Sequence, residues 1–204
     1  MRMTLAEYME TIWDKDTAFI GIDLQNDFGH MNKGTLYVKG AEEVIEVAND
    51  LVTEFSEGLV FWTKDCHPAN HCSFTENGGL WPVHCVKGKW GFQFMRGLDI
   101  NKEKDVVILK GTAVEVDSYS AFLDNDKETK TDLGDILSEE EVKKVFIMGL
   151  ATDYCVKFSV LDALDFDLEV AVYLPGCRGV EAKAGDIKAA IDEMEDGGAI
   201  IIEE

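Results

Sequence analysis

Three polar residues stand where apolar runs end. Asp23 follows Ile20-Gly21-Ile22, Lys110 follows Val106-Val107-Ile108-Leu109, and Cys155 lies a few residues beyond Phe146-Ile147-Met148-Gly149-Leu150. An ionised Asp23 among apolar neighbours needs a partner, and Lys110 is the natural one. On spacing alone the two are as readily an inert ion pair as a working one. A free cysteine near a helix start is more often a small buried hydrophobe than a nucleophile. Yet the first helical turn offers free N–H groups and the positive end of the dipole, and a nearby ammonium lowers a thiol pKa further. Cys155, with Thr152 or Asp153 capping its helix, is therefore a candidate thiolate near neutral pH. Acid/base, cation and nucleophile together suit covalent acyl-transfer chemistry.

A second constellation occupies the interval 64–104, where Asp65-Cys66-His67 is followed by His71 and then by Trp81-Pro82-Val83-His84. Imidazole and carboxylate donors suit zinc or another divalent metal, and three of them leave room for water or substrate. Three of the four histidines lie in this stretch; the fourth, His30, reads as exposed in a turn. Cys66, Cys72 and Cys85 alternate with the candidate ligands, but their spacing matches no pair of Cys-x-x-Cys knuckles.

To converge, these residues need a frame. Nearly continuous β-branched runs at 17–22, 59–63, 105–109, 144–148, 169–173 and 199–202 predict about six strands covered on both faces. Helical spacing at 41–55, 154–164 and 180–194 falls between them, and 1–14 reads as a short amphipathic helix. The acidic patch 138–141 reads as a solvated helix start. Alternating strand and helix predict an α/β fold, a mainly parallel central sheet with helices on both faces and ligands at the carboxyl ends of the strands. Those ends carry Asp23, Lys110 and Cys155. The interval 64–104 is long for a structureless loop, which marks it as functional.

The 204 residues, 46% hydrophobic, support one core, so a single domain over 1–204 is expected. With 19 Lys plus Arg against 40 Asp plus Glu, the net charge of −21 disfavours nucleic acid and anionic membrane as partners. The first residues lack the apolar stretch of a secretion signal, and five cysteines are an odd number for a stapled scaffold. A cytoplasmic location is expected. A homo-oligomer is left open.

The motifs Asp23-Leu24-Gln25-Asn26-Asp27-Phe28, Asp65-Cys66-His67-Pro68-Ala69-Asn70-His71, Trp81-Pro82-Val83-His84-Cys85-Val86, Lys110-Gly111-Thr112, Asp117-Ser118-Tyr119-Ser120-Ala121-Phe122 and Gly149-Leu150-Ala151-Thr152-Asp153-Tyr154-Cys155 occur in this order. Together, over 17–181, they resemble the isochorismatase-like superfamily of cysteine hydrolases, and within it the nicotinamidase branch, which has both the catalytic and the metal set.

The resemblance implies an isochorismatase-like, Rossmann-like three-layer sandwich with a metal-binding loop at about 64–104. It implies a triad of Asp23, Lys110 and Cys155, and a metal held by Asp65, His67 and His84 that engages the pyridine nitrogen of a small-molecule substrate, nicotinamide. The metal is often zinc, and the same donors accept Fe²⁺ and Mn²⁺. It further implies a cis peptide between Leu150 and Ala151, an oxyanion hole from the N–H groups of Ala151 and Cys155, and pocket walls from Phe28, Trp81 and Tyr119. The chain departs from the pattern at Cys66, where relatives commonly carry Trp, and at 88–92; His71 and Glu76 compete as a further ligand.

Two other readings stand beside this one. The first is a related hydrolase acting on a carbamoyl, ureido or isochorismate-like substrate, against which the metal loop argues. The second is a non-catalytic metal-binding protein of the same fold, against which the complete Asp23, Lys110 and Cys155 set argues.

Overall fold

The computed structural model describes residues 1–55 and 57–204. Its strands are β1 (Arg2–Met3), β2 (Thr17–Ile22), β3 (Val60–Asp65), β4 (Val106–Lys110), β5 (Lys144–Leu150), β6 (Glu169–Arg178) and β7 (Ile200–Ile202). They form one sheet in the order β1-β7-β6-β5-β2-β3-β4, with every pair parallel. Its helices are α1 (Leu5–Thr11), α2 (Asn26–Gly29), α3 (Val44–Glu54), α4 (Leu133–Glu139), α5 (Lys157–Asp165) and α6 (Asp186–Asp196).

The central strands β2 and β3 are buried along their whole length, which is why their sequences are continuously apolar instead of alternating. Phe19, Phe55, Tyr8 and Phe146 interlock in the core. The chain winds from β2 outward through β3 to β4, then returns to β5 and winds the other way through β6 to β7. Right-handed crossovers put the connections of these two halves on opposite faces. The reversal lies between β2 and β5, the switch point at which such sheets open a crevice. Four consecutive strand ends, those of β5, β2, β3 and β4, look into it.

Several boundaries differ from expectation. The sheet has seven strands, not six, because Arg2–Met3 pairs with Ile201 and Ile202 before the amphipathic segment begins. Thr4 then caps α1 in a capping box with Glu7, so only Leu5–Thr11 of the expected helix 1–14 is helical. The helix expected over 180–194 starts at Asp186, since Gly185 in the left-handed region interrupts the chain and the N–H groups of Val180 and Glu181 are taken by Asp153. The patch 138–141 ends α4 and does not start a helix; Glu141 turns away at φ 57°. No helix among the described residues is long and apolar enough to cross a membrane.

Candidate active site and metal centre

Lys110 ends β4, two strands away from β2, but its side chain reaches back over β3. Its Nζ lies 2.5 Å from Asp65 Oδ1, 2.9 Å from Asp23 Oδ2 and 3.5 Å from Cys155 Sγ. All four residues are buried. Asp23 is held by Thr63, whose hydroxyl donates to Asp23 Oδ1 at 2.6 Å and accepts the Asp23 N–H at 3.0 Å. Oδ2, although near the ammonium, has no aligned hydrogen-bond donor. A carboxylate oxygen of Asp23 lies within 4.8 Å of Cys155 Sγ.

Burial pushes the Asp23 carboxyl up to about 6, against the pull of Lys110. At neutral pH it is mainly a carboxylate with high proton affinity, as a general base requires. Burial works against Lys110 too, but Asp23 and Asp65 hold its pKa well above the ordinary lysine value, so it stays an ammonium. Cys155 departs from expectation. Burial, with Asp23 and Asp65 adding to it, pushes the thiol well above its usual range in spite of Lys110. Burial and the two carboxylates thus favour the thiol over a preformed thiolate.

The local backbone also differs from expectation. Cys155 sits on a π-helical turn, Thr152–Val156, ahead of α5. Neither Thr152 nor Asp153 caps it; Ala151 occupies the cap position without a side-chain bond. Asp153 instead accepts the N–H groups of Val180 and Glu181, and Ser159 donates to the Cys155 carbonyl at 2.6 Å. The peptide between Leu150 and Ala151 is cis, as the resemblance implied.

Asp65, His67 and His84 come together as a buried cluster whose ligand atoms lie within 4.8 Å of one another. Asp65 Oδ2 is 3.6 Å from His67 Nε2 and 3.8 Å from His84 Nε2. His67 Nδ1 bonds the Gly111 carbonyl at 2.9 Å and His84 Nδ1 the Pro82 carbonyl at 2.8 Å. With Nδ1 donating in each ring, both Nε2 lone pairs face inward, the arrangement a ligating histidine needs. Burial lowers the His84 pKa, favouring the neutral, ligating form. His67 is also lowered by burial, but Asp65 prevails and raises it. Burial raises Asp65 as well, yet Lys110 and His67 hold its carboxyl well below the usual range.

The charge count supports a cation here. Asp23 and Asp65 place two carboxylates against one ammonium in a buried site, and a divalent ion on the free Asp65 oxygen would offset the excess. The residues present therefore fit a metal. His71 lies outside the cluster because both of its nitrogens are engaged, with Ser73 Oγ at 2.7 Å and the Val116 carbonyl at 3.0 Å. It stacks on His67, with centroids 4.0 Å apart. Glu76 is exposed in a short 3₁₀ turn and is not part of the cluster either.

Between nucleophile and metal cluster lies a cleft lined by Phe28, Trp81, Tyr119, Ala151 and Tyr154 among others. Trp81 Nε1 donates to Tyr119 Oη at 3.1 Å, and Trp81 meets Tyr154 edge-on at 4.9 Å. Phe28 packs against His84. All three predicted wall residues thus reach the cleft. Tyr154 was not singled out, although its place beside Cys155 was a signal. Thr63 and Ser159 gave no signal, being ordinary polar residues within a strand and a helix. A larger groove of about 700 Å³ beside the exposed His30 and Trp90 contains none of these chemical groups.

Residues 17–204 match the family described as Isochorismatase domain. A nicotinamidase of Escherichia coli (strain K12) is 40% identical over 201 residues, covering 90% of this chain and 93% of its own. Among solved structures, the pyrazinamidase of Pyrococcus horikoshii in complex with zinc superposes with a TM-score of 0.83 at 37% identity, covering 93% of this chain and 99% of its own. PnC1 of L. infantum in complex with nicotinate gives a TM-score of 0.86 at 32% identity, covering 100% of this chain and 96% of its own.

Proposed function

The chain belongs to the isochorismatase family, and from that membership we propose that it hydrolyses nicotinamide to nicotinic acid and ammonia with Cys155 as nucleophile, Asp23 as acid/base and Lys110 as the cation between them. The observation that carries this reading is the single ammonium of Lys110, in contact with Asp23, Asp65 and Cys155 at once. The E. coli relative is a nicotinamidase and the L. infantum structure contains nicotinate, which supports the substrate.

Asp23 Oδ2 takes the Cys155 proton as Sγ attacks the carboxamide carbon. The carbonyl π electrons move onto oxygen, and that oxyanion accepts hydrogen bonds from the N–H groups of Ala151 and Cys155, the role we assign to the turn after β5. A single such donor contributes roughly 3 kcal/mol to barrier lowering. As the tetrahedral centre collapses, Asp23 returns the proton to nitrogen, the C–N bond breaks and ammonia leaves a thioester. Asp23 then takes a proton from water, whose oxygen attacks the thioester carbon, and gives it back to Sγ as nicotinic acid departs. Lys110 stays charged throughout and stabilises each anionic partner in turn. Phe28, Trp81 and Tyr119 would flank the ring.

Asp65, His67 and His84 would hold a divalent cation, which when bound supplies a Lewis-acid contact for the pyridine nitrogen. We assign zinc, supported by the zinc in the Pyrococcus pyrazinamidase and by the two-imidazole, one-carboxylate donor set. We further propose that 1–204 works as one unit, since its seven strands share one parallel sheet, and that it acts in the cytoplasm, a placement that its five free thiols support.

The test joins metal analysis of the purified protein to ammonia release from nicotinamide, pyrazinamide and a carbamoyl amide. Zinc near one per chain, with rapid release from the two ring amides, is the expected outcome. Preference for the carbamoyl compound would favour the related hydrolase reading, and no release from any amide would refute catalysis.

A further inference from the structure

β2 stops pairing with β3 at Gly21 and Trp62, and Asp23, at φ 50°, turns the chain out of the sheet. The last residue of β3, Asp65, is left without a strand neighbour on that side. A side chain takes the place of the missing strand. Gln25 Nε2 donates to the Asp65 carbonyl at 2.9 Å, and Gln25 Oε1 accepts the Asp65 N–H at 2.8 Å. A primary amide offers the same donor and acceptor as a peptide group, so Gln25 extends the ladder where the backbone has departed. Its Nε2 also donates to the Phe92 carbonyl at 3.0 Å, tying down the far end of the metal loop. Gln25 is wholly buried.

Two residues on, Asp27 Oδ2 accepts the Cys85 N–H at 2.7 Å and Oδ1 accepts that of Thr35 at 3.3 Å. Cys85 directly follows His84 and is held at φ 47°, a region a side-chain-bearing residue keeps only when its surroundings impose it. The carboxylate fits because residue 91 is glycine: a Cβ there would lie 1.8 Å from Asp27 Oδ2. Asp27 is nearly buried, and among the described residues it has no ion-pair partner. A charge so placed is held by N–H donors, which makes the Cys85 contact strong. Neither Gln25 nor Asp27 lines the cleft.

We infer that Gln25 and Asp27 are positioning residues for the metal centre, Gln25 fixing Asp65 through its backbone and Asp27 fixing His84 through Cys85. This rests on the reading of Asp65, His67 and His84 as ligands. It makes the short segment after Asp23 a brace that sets the catalytic base and two of the three ligands in one frame. Asp65 gives one oxygen to Lys110 and offers the other to a metal, so its placement affects both sites.

The experiment titrates Zn²⁺ into the chelator-stripped full-length protein by calorimetry. Gln25→Met keeps length and apolar bulk but removes the amide pair; Asp27→Asn keeps shape but removes the charge. Asn49→Ala is the control, because Asn49 clamps the backbone of Gly97 and Asp99 with a similar pair of bonds beyond Phe92 in the same interval, touching neither Asp65 nor the residues around His84. Each brace variant, with near-UV circular dichroism like wild type, is expected to bind Zn²⁺ about 10- to 100-fold more weakly, while the control binds like wild type. Gln25→Glu, which keeps the acceptor and loses the donor, replaces Gln25→Met where the latter does not fold. Folded brace variants that bind within about threefold of wild type would overturn the inference, well short of the usual loss on removing a ligand's supporting group. If His84→Ala also left Zn²⁺ affinity unchanged, the ligand assignment itself would fall.

Discussion

Asp65 joins two kinds of chemistry in one side chain. Oδ1 is spent on Lys110 at 2.5 Å while Oδ2 faces two imidazoles, so the ion pair and the metal cluster are built on one carboxylate. Asp23 next to it has a different task, set by burial and by an oxygen without an aligned donor. Because its carboxyl is raised to about 6, the base form is lost as pH falls through that value. The logarithm of kcat/KM should therefore drop with unit slope below about pH 6 and be flat just above it. A stopped or continuous ammonia assay across pH 4.5–8 checks this; a flat profile down to pH 4.5 would remove Asp23 as base. Asp23→Asn should lower kcat/KM by about 10²- to 10⁴-fold. At this scale the sequence was legible for residue types and poor for electrostatics. Asp23, Lys110 and Cys155 could be picked out by standing after apolar runs, but the protonated state of Cys155 depends on burial and on two carboxylates arriving from other strands.

Among the elements, strands were easier to read than the segments joining them. A continuous apolar run such as that of β2 leaves little choice of structure, whereas the start of α6 is decided by a left-handed Gly185 and by Asp153, 27 residues away from Val180 in sequence. The turn from β4 is similarly particular. Gly111 has φ 60°, and a Cβ there would lie 2.5 Å from the His67 ring. Gly111→Ala should thus destabilise the fold by at least about 1 kcal/mol and displace His67. Urea melts with metal analysis would register both effects, and unchanged metal content would contradict the packing argument. Thr4→Ala is the counterpart: it removes the α1 capping box and should cost about 1 kcal/mol, with ammonia release unaltered because α1 lies outside the cleft.

For the molecule as a whole, the doubly wound sheet brings four strand ends to one crevice, and the chain as a whole carries a net charge of −21. The parallel sheet followed from the strand and helix alternation, but its strand order did not, nor did the edge strand β1, because two residues carry too little pattern to read. A metal that binds only the folded chain must also stabilise it. At a hundredfold excess over Kd the gain is about 2.7 kcal/mol, which for a chain of this size corresponds to roughly 5–10 °C in Tm. Chelator treatment should lower Tm by that amount and Zn²⁺ should restore it; a Tm indifferent to both would argue against the metal centre.

The central claim is that Cys155 forms the covalent bond. The measurement that tests it most directly is ammonia release from nicotinamide by Cys155→Ala, at a zinc content matched to wild type because Cys155 is not in the ligand cluster. A loss of at least about a thousandfold in kcat is expected, as for removal of an essential nucleophile. A variant that kept its zinc and turned over within about tenfold of wild type would contradict it.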